Sequence, residues 1–318
     1  MHKTTVVIPN YNGCHFLREC LPTLGDAPVI VVDNGSTDDS VSFLKENYPR
    51  VQLIENDTNR GFCGASNQGI RAVATPYVFL LNNDTKLEKD CIEKLEACMD
   101  SDPTVFSVQA KMLQMAHPEL IDDAGDFYCA LGWAYARWKG KPAERCRKRE
   151  EIFASCGGAV LYRIEYLKIT GGLDENHFAY LEDIDLGYRA RIMGFKNLIE
   201  PEAVVYHVGS GATGSRYNKL KVDLSSRNNM YLFCKNMPLL QFLLNLPLLL
   251  LGILVKWIFF LKKGLGGNYF LGVCKGFALA FSKEGRSHHV AFRWKHLGNY
   301  CRIQWELCLN VGRMFIKM

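Results

Sequence analysis

Three short apolar runs in the first 81 residues each stop at a cluster of small polar side chains, and this pattern limits the possible folds more than any other feature. KTTVVIP (3–9) runs into Asn10–Asn12, PVIVVD (28–33) into NGSTDDS (34–40), and YVFLL (77–81) into Asn82–Asp84. PVIVVD shows no polar–apolar alternation, which predicts a strand buried on both faces. Phe16, Leu17, Cys20, Leu21 and Leu24 recur at helical spacing after the first run. Further helices are expected at about 38–47, 63–74 and 88–100, and a strand over VQLIE (51–55). Such strand–helix alternation predicts an α/β domain with a mostly parallel central sheet. Ligands bind such sheets beyond the carboxyl ends of the strands, where all three polar clusters lie.

The middle of the chain is less regular. SCGGAVLYR (155–163) reads as a turn into a strand, and AVVYHVGS (203–210) as a strand carrying His207. The Gly-rich, aromatic stretch 122–141 is expected to be a loop region that shapes a pocket. A helix beginning near Ala179 would hold Glu182, Asp183 and Asp185 in its first turns. Acids there are favoured by the helix dipole, but three in four residues exceed what a cap requires. Neither a Walker loop nor a G-x-G-x-x-G follows the first strand, so P-loop and standard dinucleotide binding lose ground.

Taken together, VVIPNYNG (6–13), VVDNGSTDDS (31–40), NRGFCGASNQG (59–69), LLNNDT (80–85), GGAVLYR (157–163), GGLDENHFAYLEDIDLGYRAR (171–191) and the later His207 resemble the family 2 glycosyltransferases. The resemblance is to the bacterial rhamnosyltransferase-like branch that builds surface polysaccharides, and it runs over residues 3–235. It implies a GT-A fold and an inverting, metal-dependent transferase. The donor would be a nucleotide-diphosphate sugar, UDP- or dTDP-linked (dTDP-rhamnose among the candidates), and the acceptor a lipid-linked or oligosaccharide hydroxyl.

Residue by residue, Pro9 and Tyr11 match the motif that lines the base and ribose. Asp33 matches the acid that bonds the base, and a carboxylate suits a pyrimidine imide N–H because it only accepts. Asn59 and Asn67 match the loop and helix start beside the sugar nucleotide. Asn82, Asn83 and Asp84 stand at the family's DxD motif, with Asn82 in place of its first Asp, so Asp84 is the expected metal ligand and Asn82 and Asn83 are assigned to the donor. His207 matches a position that assists the metal, and an imidazole ligand tilts the choice between Mn²⁺ and Mg²⁺ towards Mn²⁺. Asp183 matches the general base, and Glu182 and Asp185 would orient the acceptor or raise the base's pKa by like-charge proximity. Arg227, in SRNNMYLF (226–233), is assigned to the diphosphate or to a lipid phosphate. Two other functions are weighed. A nucleotidyltransferase on a similar sheet would need a cationic loop where PNYNG stands, and a non-catalytic nucleotide-sugar-binding scaffold must contend with the intact Asp84, Asp183 and His207.

A change of character near Pro238 sets off an expected tail, 236–318, from a catalytic domain, 1–235. The tail holds seven Lys and four Arg against Glu284 and Glu306, so the net charge of +5 divides into −4 and +9. LLQFLLNLPLLLLGILVKWIFFL (239–261) is long enough to cross a bilayer, diluted by Gln241, Asn245, Pro247 and Lys256. The second apolar stretch, 269–281, is too short to span. A single pass would place basic residues outside, against the positive-inside tendency. The expectation is therefore a monotopic tail on the cytoplasmic face of the cell membrane, reading anionic lipid through its Lys, Arg and Trp side chains. The basic residues are interleaved with long apolar runs, which disfavours nucleic acid as a partner. The twelve Cys form no C-x-x-C pair and no Cys/His cluster with zinc spacing, and are read as reduced thiols in a cytosolic protein. The oligomeric state is left open.

Overall fold

A computed structural model describes residues 2–209 and 217–317 of the chain, with side chains as far as Met314. Strand β1 (Thr4–Asn10) leads to helix α1 (Cys14–Cys20), β2 (Val29–Asp33), α2 (Ser40–Asn47), β3 (Gln52–Glu55) and α3 (Gly61–Ala72). Next come β4 (Tyr77–Leu81), β5 (Thr85–Leu87), α4 (Cys91–Asp100), β6 (Val105–Gln114) and β7 (Ile121–Asp123). The middle holds β8 (Asp126–Cys129), β9 (Trp133–Ala136), β10 (Glu150–Ile152), β11 (Ala159–Arg163), α5 (Ile164–Thr170), α6 (Glu182–Ile192) and β12 (Lys196–His207). Five helices close the chain: α7 (Lys219–Asn236), α8 (Leu239–Leu261), α9 (Gly266–Phe281), α10 (Lys283–Ser287) and α11 (Leu297–Lys317). Ser210, the last residue of the strand expected over 203–210, lies outside the described residues.

Ten strands form one sheet, in the order β10-β12-β6-β11-β4-β1-β2-β3, with β5 on β12 and β7 on β6. The block β3-β2-β1-β4 is parallel, as the buried runs require, and β6–β12 is again parallel, with antiparallel β11 between the two blocks. Val6, Val7, Ile8, Ile30, Val31 and Val32 are buried on both faces of the sheet. One face packs on α1 and α4, and the other on α3, α5 and α6. The ends of β1, β2 and β4 therefore present Asn10, Asp33 and Asn82 along one edge.

Two expectations are corrected. The stretch 122–141 is not a loop region. It carries the antiparallel pair β8–β9, with Phe127, Tyr128, Cys129 and Ala130 buried. Helix α11 covers it, since Leu307 O accepts from Ala130 N and Asn310 donates to Tyr128 O. Across the expected division at 235/236, one hydrophobic cluster joins Phe127, Phe153 and Tyr188 to Phe233, Leu249, Tyr300 and Leu307. The helix expected near Ala179 begins at Glu182, because Phe178, Tyr180 and Leu181 all adopt left-handed backbone, with φ of 63°, 73° and 65°.

Two of the residues that dilute α8 in sequence have a defined place. Gln241, Asn245, Leu249 and Gly252 form its buried stripe. Tyr188 donates to Gln241, Asn245 exchanges hydrogen bonds with Gln304, and Trp133 Nε1 donates to Gly252 O. A side chain at position 252 would meet Leu131 O at 2.1 Å, so glycine is needed for this approach. The opposite face of α8 is apolar and open, with Leu239 74% and Leu240 71% exposed.

Candidate functional site

The edge of the sheet is held by an amide–carboxylate network. Asp33 is buried; one of its oxygens accepts from Asn10 Nδ2 and the other from Ser36 N, both at 2.9 Å. Asn83 Nδ2 donates to Asn10 Oδ1 at 2.7 Å, which ties the 82–84 turn to the same network. Asp33 keeps further lone pairs for an incoming N–H. Tyr11 follows Asn10 and is 48% exposed, and Pro9 is the penultimate residue of β1. Asn59 and Asn67, expected at the donor, are committed to the protein. Asn59 Oδ1 accepts from Asn34 and from Gly61 N, and Asn67 is bonded to both backbone groups of Leu173 and to Glu175.

Register brings the expected metal ligands together. β12 pairs antiparallel with β5, setting His207 opposite Thr85, one residue beyond Asp84. His207 Nε2 lies 3.2 Å from Asp84 Oδ1, and Asp84 O accepts from Val208 N. The other ring nitrogen, Nδ1, lies 2.7 Å from Asp122 Oδ2, and Asp122 pairs in turn with Lys139 at 2.5 Å. Burial works against the imidazolium, but bonds from Asp122 and Asp84 outweigh it and raise His207 to about 9. Asp122 falls to about 2, because its bond to His207 and the Lys139 charge overcome the cost of its burial. One carboxylate oxygen facing one imidazole nitrogen, with the far side of that imidazole anchored by a second carboxylate, fits a Mn²⁺ or Mg²⁺ ion completed by diphosphate oxygens. Asp122 was missed in sequence; its only signal was the adjacent acids of IDDAGD (121–126).

The acids of α6 divide by face. Half-buried Asp183 accepts from Ile184 N at 2.7 Å and from Gly157 N at 3.3 Å. The neighbouring Gly158 O accepts from Asn82 N at 2.9 Å, and a side chain at position 158 would meet Asn82 Nδ2 at 3.2 Å. The Gly157–Gly158 turn thus sits between Asp183 and the 82–84 turn. Buried Glu182 lies beside this turn, and among the described residues its Oε2 has no hydrogen-bond partner. Burial, and then the Asp183 charge, raise Glu182 to about 8, while burial also raises Asp183. Asp123, Asp126 and Cys156 close the same region, with ligand atoms within 4.8 Å of one another, and burial lifts Asp123 to about 6.

Asp185 and Arg227 are not in this cleft. Asp185 is fully buried on the other side of α6, bonded to Arg189, Lys235 and Asn236, which hold its carboxyl well below the usual range against its burial. It is a structural ion partner rather than an acceptor-orienting acid. Arg227 donates to the carbonyls of Asn176 (2.8 Å) and His177 (3.0 Å), so its guanidinium is spent on the chain leading to α6. Its neighbour Asn228, also missed in sequence, is buried and donates from Nδ2 to the carbonyls of His177, Ala179 and Tyr180. Arg227 and Asn228 together clamp the left-handed segment that aims Glu182 and Asp183.

The family described as "Glycosyl transferase family 2" matches residues 5–169, just over half of the chain. The chain belongs to glycosyltransferase family 2. Among its relatives, an N-acetylglucosaminyl-diphospho-decaprenol L-rhamnosyltransferase of Mycobacterium tuberculosis is 26% identical over 221 residues, 61% of this chain and 70% of that one. A pre-mycofactocin glycosyltransferase of the same organism is 27% identical over 208 residues, 64% of this chain and 42% of that one. Two solved structures share the fold. GalNAc-T7 with UDP, GalNAc and Mn²⁺ has a TM-score of 0.59 at 17% identity, over 72% of this chain and 47% of that one. The mannosyltransferase PcManGT from Pyrobaculum calidifontis, in complex with GDP-Man and Mn²⁺, has a TM-score of 0.53 at 18% identity, over 95% and 87%. The fold is GT-A, and the activity is that of a glycosyltransferase.

Proposed function

We propose that this glycosyltransferase moves a sugar, with inversion, from a nucleotide-diphosphate donor to a hydroxyl of a lipid-linked acceptor at a membrane surface. The observation that carries the reading is the convergence, across the Gly157–Gly158 turn, of the Asp84–His207 pair on one side and Asp183 on the other. Asp33 receives the imide N–H of a uracil or thymine base, and Tyr11 flanks it. Asp84 and His207 are the residues that would hold Mn²⁺ or Mg²⁺, which supplies positive charge to the departing diphosphate. Asp183 takes the proton from the acceptor hydroxyl as it attacks the anomeric carbon from the face opposite the nucleotide. One base suffices for inversion, and its raised pKa brings it towards working pH. Glu182, Asp123 and Asp126 line the acceptor side and accept from sugar hydroxyls. The decaprenol-linked substrate named for the mycobacterial relative supports a lipid-linked acceptor and a rhamnosyl donor.

The tail supports the membrane part. α8 has 23 residues with a mean hydropathy of 2.2, and only 17% of its most apolar window is buried. Its length suffices to span, yet its polar stripe is docked on the protein from Gln241 to Gly252, so the helix lies along the body and offers its apolar face sideways. That geometry favours a monotopic tail over a single pass, and donor synthesis in the cytosol puts the enzyme on the cytoplasmic face.

The test is transfer and donor hydrolysis from a panel of UDP- and dTDP-sugars with Mn²⁺. Asp84→Ala should lose metal-stimulated turnover, and Asp183→Asn should lose transfer while keeping donor binding by thermal shift. Loss of donor binding in Asp183→Asn would reassign that residue to the donor or metal.

A further inference from the structure

On the far side of α6 from Asp183, a cleft of about 720 Å³ opens between Gly171–Gly172 and the segment 287–296. That volume is in the range of ligand sites. Its floor is electrically settled. Lys235 bridges Asp174 and Asp185, and Arg189 chelates Asp185 and donates to the carbonyls of Thr170 and Gly172. Its rim is not. Arg293, Lys295 and His296 line the cleft, and among the described residues none of the three side chains has a carboxylate partner. Partial burial, and then the Lys295 and Arg293 charges, depress His296 below its ordinary value.

The rim segment also carries apolar groups turned outwards. Trp294 is 79% exposed and meets Phe292 edge-on at 5.2 Å, so cations and aromatics alternate through FRWKH (292–296). Val290 N donates to Lys235 O, which fixes the segment to the end of α7. Phe281, at the end of the open apolar face of α9, lies edge-on to His289 of the cleft lining, with ring centroids 6.5 Å apart. A side chain such as Trp294 beside unpaired Arg and Lys suits the boundary between headgroups and acyl chains.

We propose that this cleft binds a phosphate-bearing anion, the headgroup of an acidic glycerolipid, through Arg293, Lys295 and His296. The lipid source rests on the membrane reading above; the phosphate chemistry rests on the cleft alone. The site would seat the enzyme in one rotational setting on the bilayer, with the opposite face of α6 and its Asp183 held at a fixed height.

The experiment is co-sedimentation of the full chain with vesicles of phosphatidylcholine, or of phosphatidylcholine doped with phosphatidylglycerol, with and without inorganic phosphate or pyrophosphate. Acidic vesicles should bind more tightly. Arg293→Gln/Lys295→Gln should lose about thirty-fold of that increment, about five-fold per cation, from about 1 kcal/mol for each basic side chain at an acidic surface. Its thermal melt and its donor hydrolysis in solution should match the wild type. Lys262→Gln/Lys263→Gln, at the far end of α8, should lose less. Equal losses in the two double variants would overturn the site in favour of a diffuse basic surface. Equal binding to neutral and acidic vesicles, with no binding of phosphate or pyrophosphate, would overturn the site and leave the membrane reading standing. Binding to no vesicle would overturn both. Tight binding of pyrophosphate with no effect of acidic lipid would overturn the lipid source.

Discussion

Lys235→Met is the most informative single perturbation of the scaffold. The ammonium is 1% exposed, 2.6 Å from Asp174 Oδ2 and 2.8 Å from Asp185 Oδ2. At an effective dielectric of about 20, each contact is worth about 6 kcal/mol of attraction. Desolvation of the ammonium offsets several kcal/mol of the total. Asp185 keeps Arg189 and Asn236 in the variant, whereas among the described residues Asp174 keeps only the Tyr231 hydroxyl (2.8 Å), groups of Asn176 and a distant His288. The net loss should fall near the lower end for a broken buried pair, about 3 kcal/mol. That corresponds to a Tm lowered by roughly 6 °C. The assay is urea unfolding at several pH values. Wild-type Asp174 and Asp185 are held below their ordinary pKa, so they stabilise the fold at neutral pH and lose that contribution as pH falls below about 4. In the variant, Asp174 is an uncompensated buried carboxylate that gains from protonation, so the gap between the two proteins should narrow on acidification. Asp174→Asn in the Lys235→Met background should recover most of the loss. A loss under about 1 kcal/mol, or no recovery in the double variant, would refute the account of this cluster.

Three further outcomes follow from the site. Asp122→Ala frees Nδ1 of His207 and should weaken Mn²⁺ binding by roughly 10–100-fold by calorimetry; unchanged affinity would show that the Asp122 contact does not orient the ligand. Glu182→Gln should cut transfer yet stabilise the fold. Glu182 titrates near 8 in the folded chain against an ordinary 4.5, so the stability gap over wild type should grow from about pH 4.5 and level off above about pH 8, and a gap independent of pH would count against a strained carboxyl. Asn228→Ala takes a donor from three carbonyls, of which His177 O keeps Arg227, at about 1–3 kcal/mol for an unsatisfied buried group. It should lower kcat with little change in the donor KM and speed amide exchange over 177–183, whereas wild-type kcat would mean that Asn228 does not position Asp183.

The parallel core was legible in sequence because a strand buried on both faces leaves an unbroken apolar run, and each run's end marks the ligand edge. Asp33, Asp84, Asp183 and His207 became readable through the resemblance, which supplied their order; the pairing of β5 with β12 that joins Asp84 to His207 is a register no local pattern encodes. What sequence could not assign was the partner of each remaining charge. Asp185 stands two residues from Asp183, yet Lys235 and Asn236, 50 and 51 residues away, give it a structural task. Arg227 had an anion as its natural partner on charge alone, but the carbonyls of a strained turn took its donors. The 126–136 strand pair read as loop because its cover, α11, lies at the far end of the chain.

α8 carries the same lesson one step further. Counted, Gln241 and Asn245 only lower the apolar content of a possible span. Placed, they join Leu249 and Gly252 on one stripe at intervals of four, four and three, which is the inner face of a docked helix whose outer face is entirely apolar. In a water-soluble helix the polar residues would face out. Here the polarity is reversed, with the polar side chains against the protein and the apolar ones exposed. The reversal was present in the spacing of 241, 245, 249 and 252, and it bears on the membrane question more directly than the length of the run does.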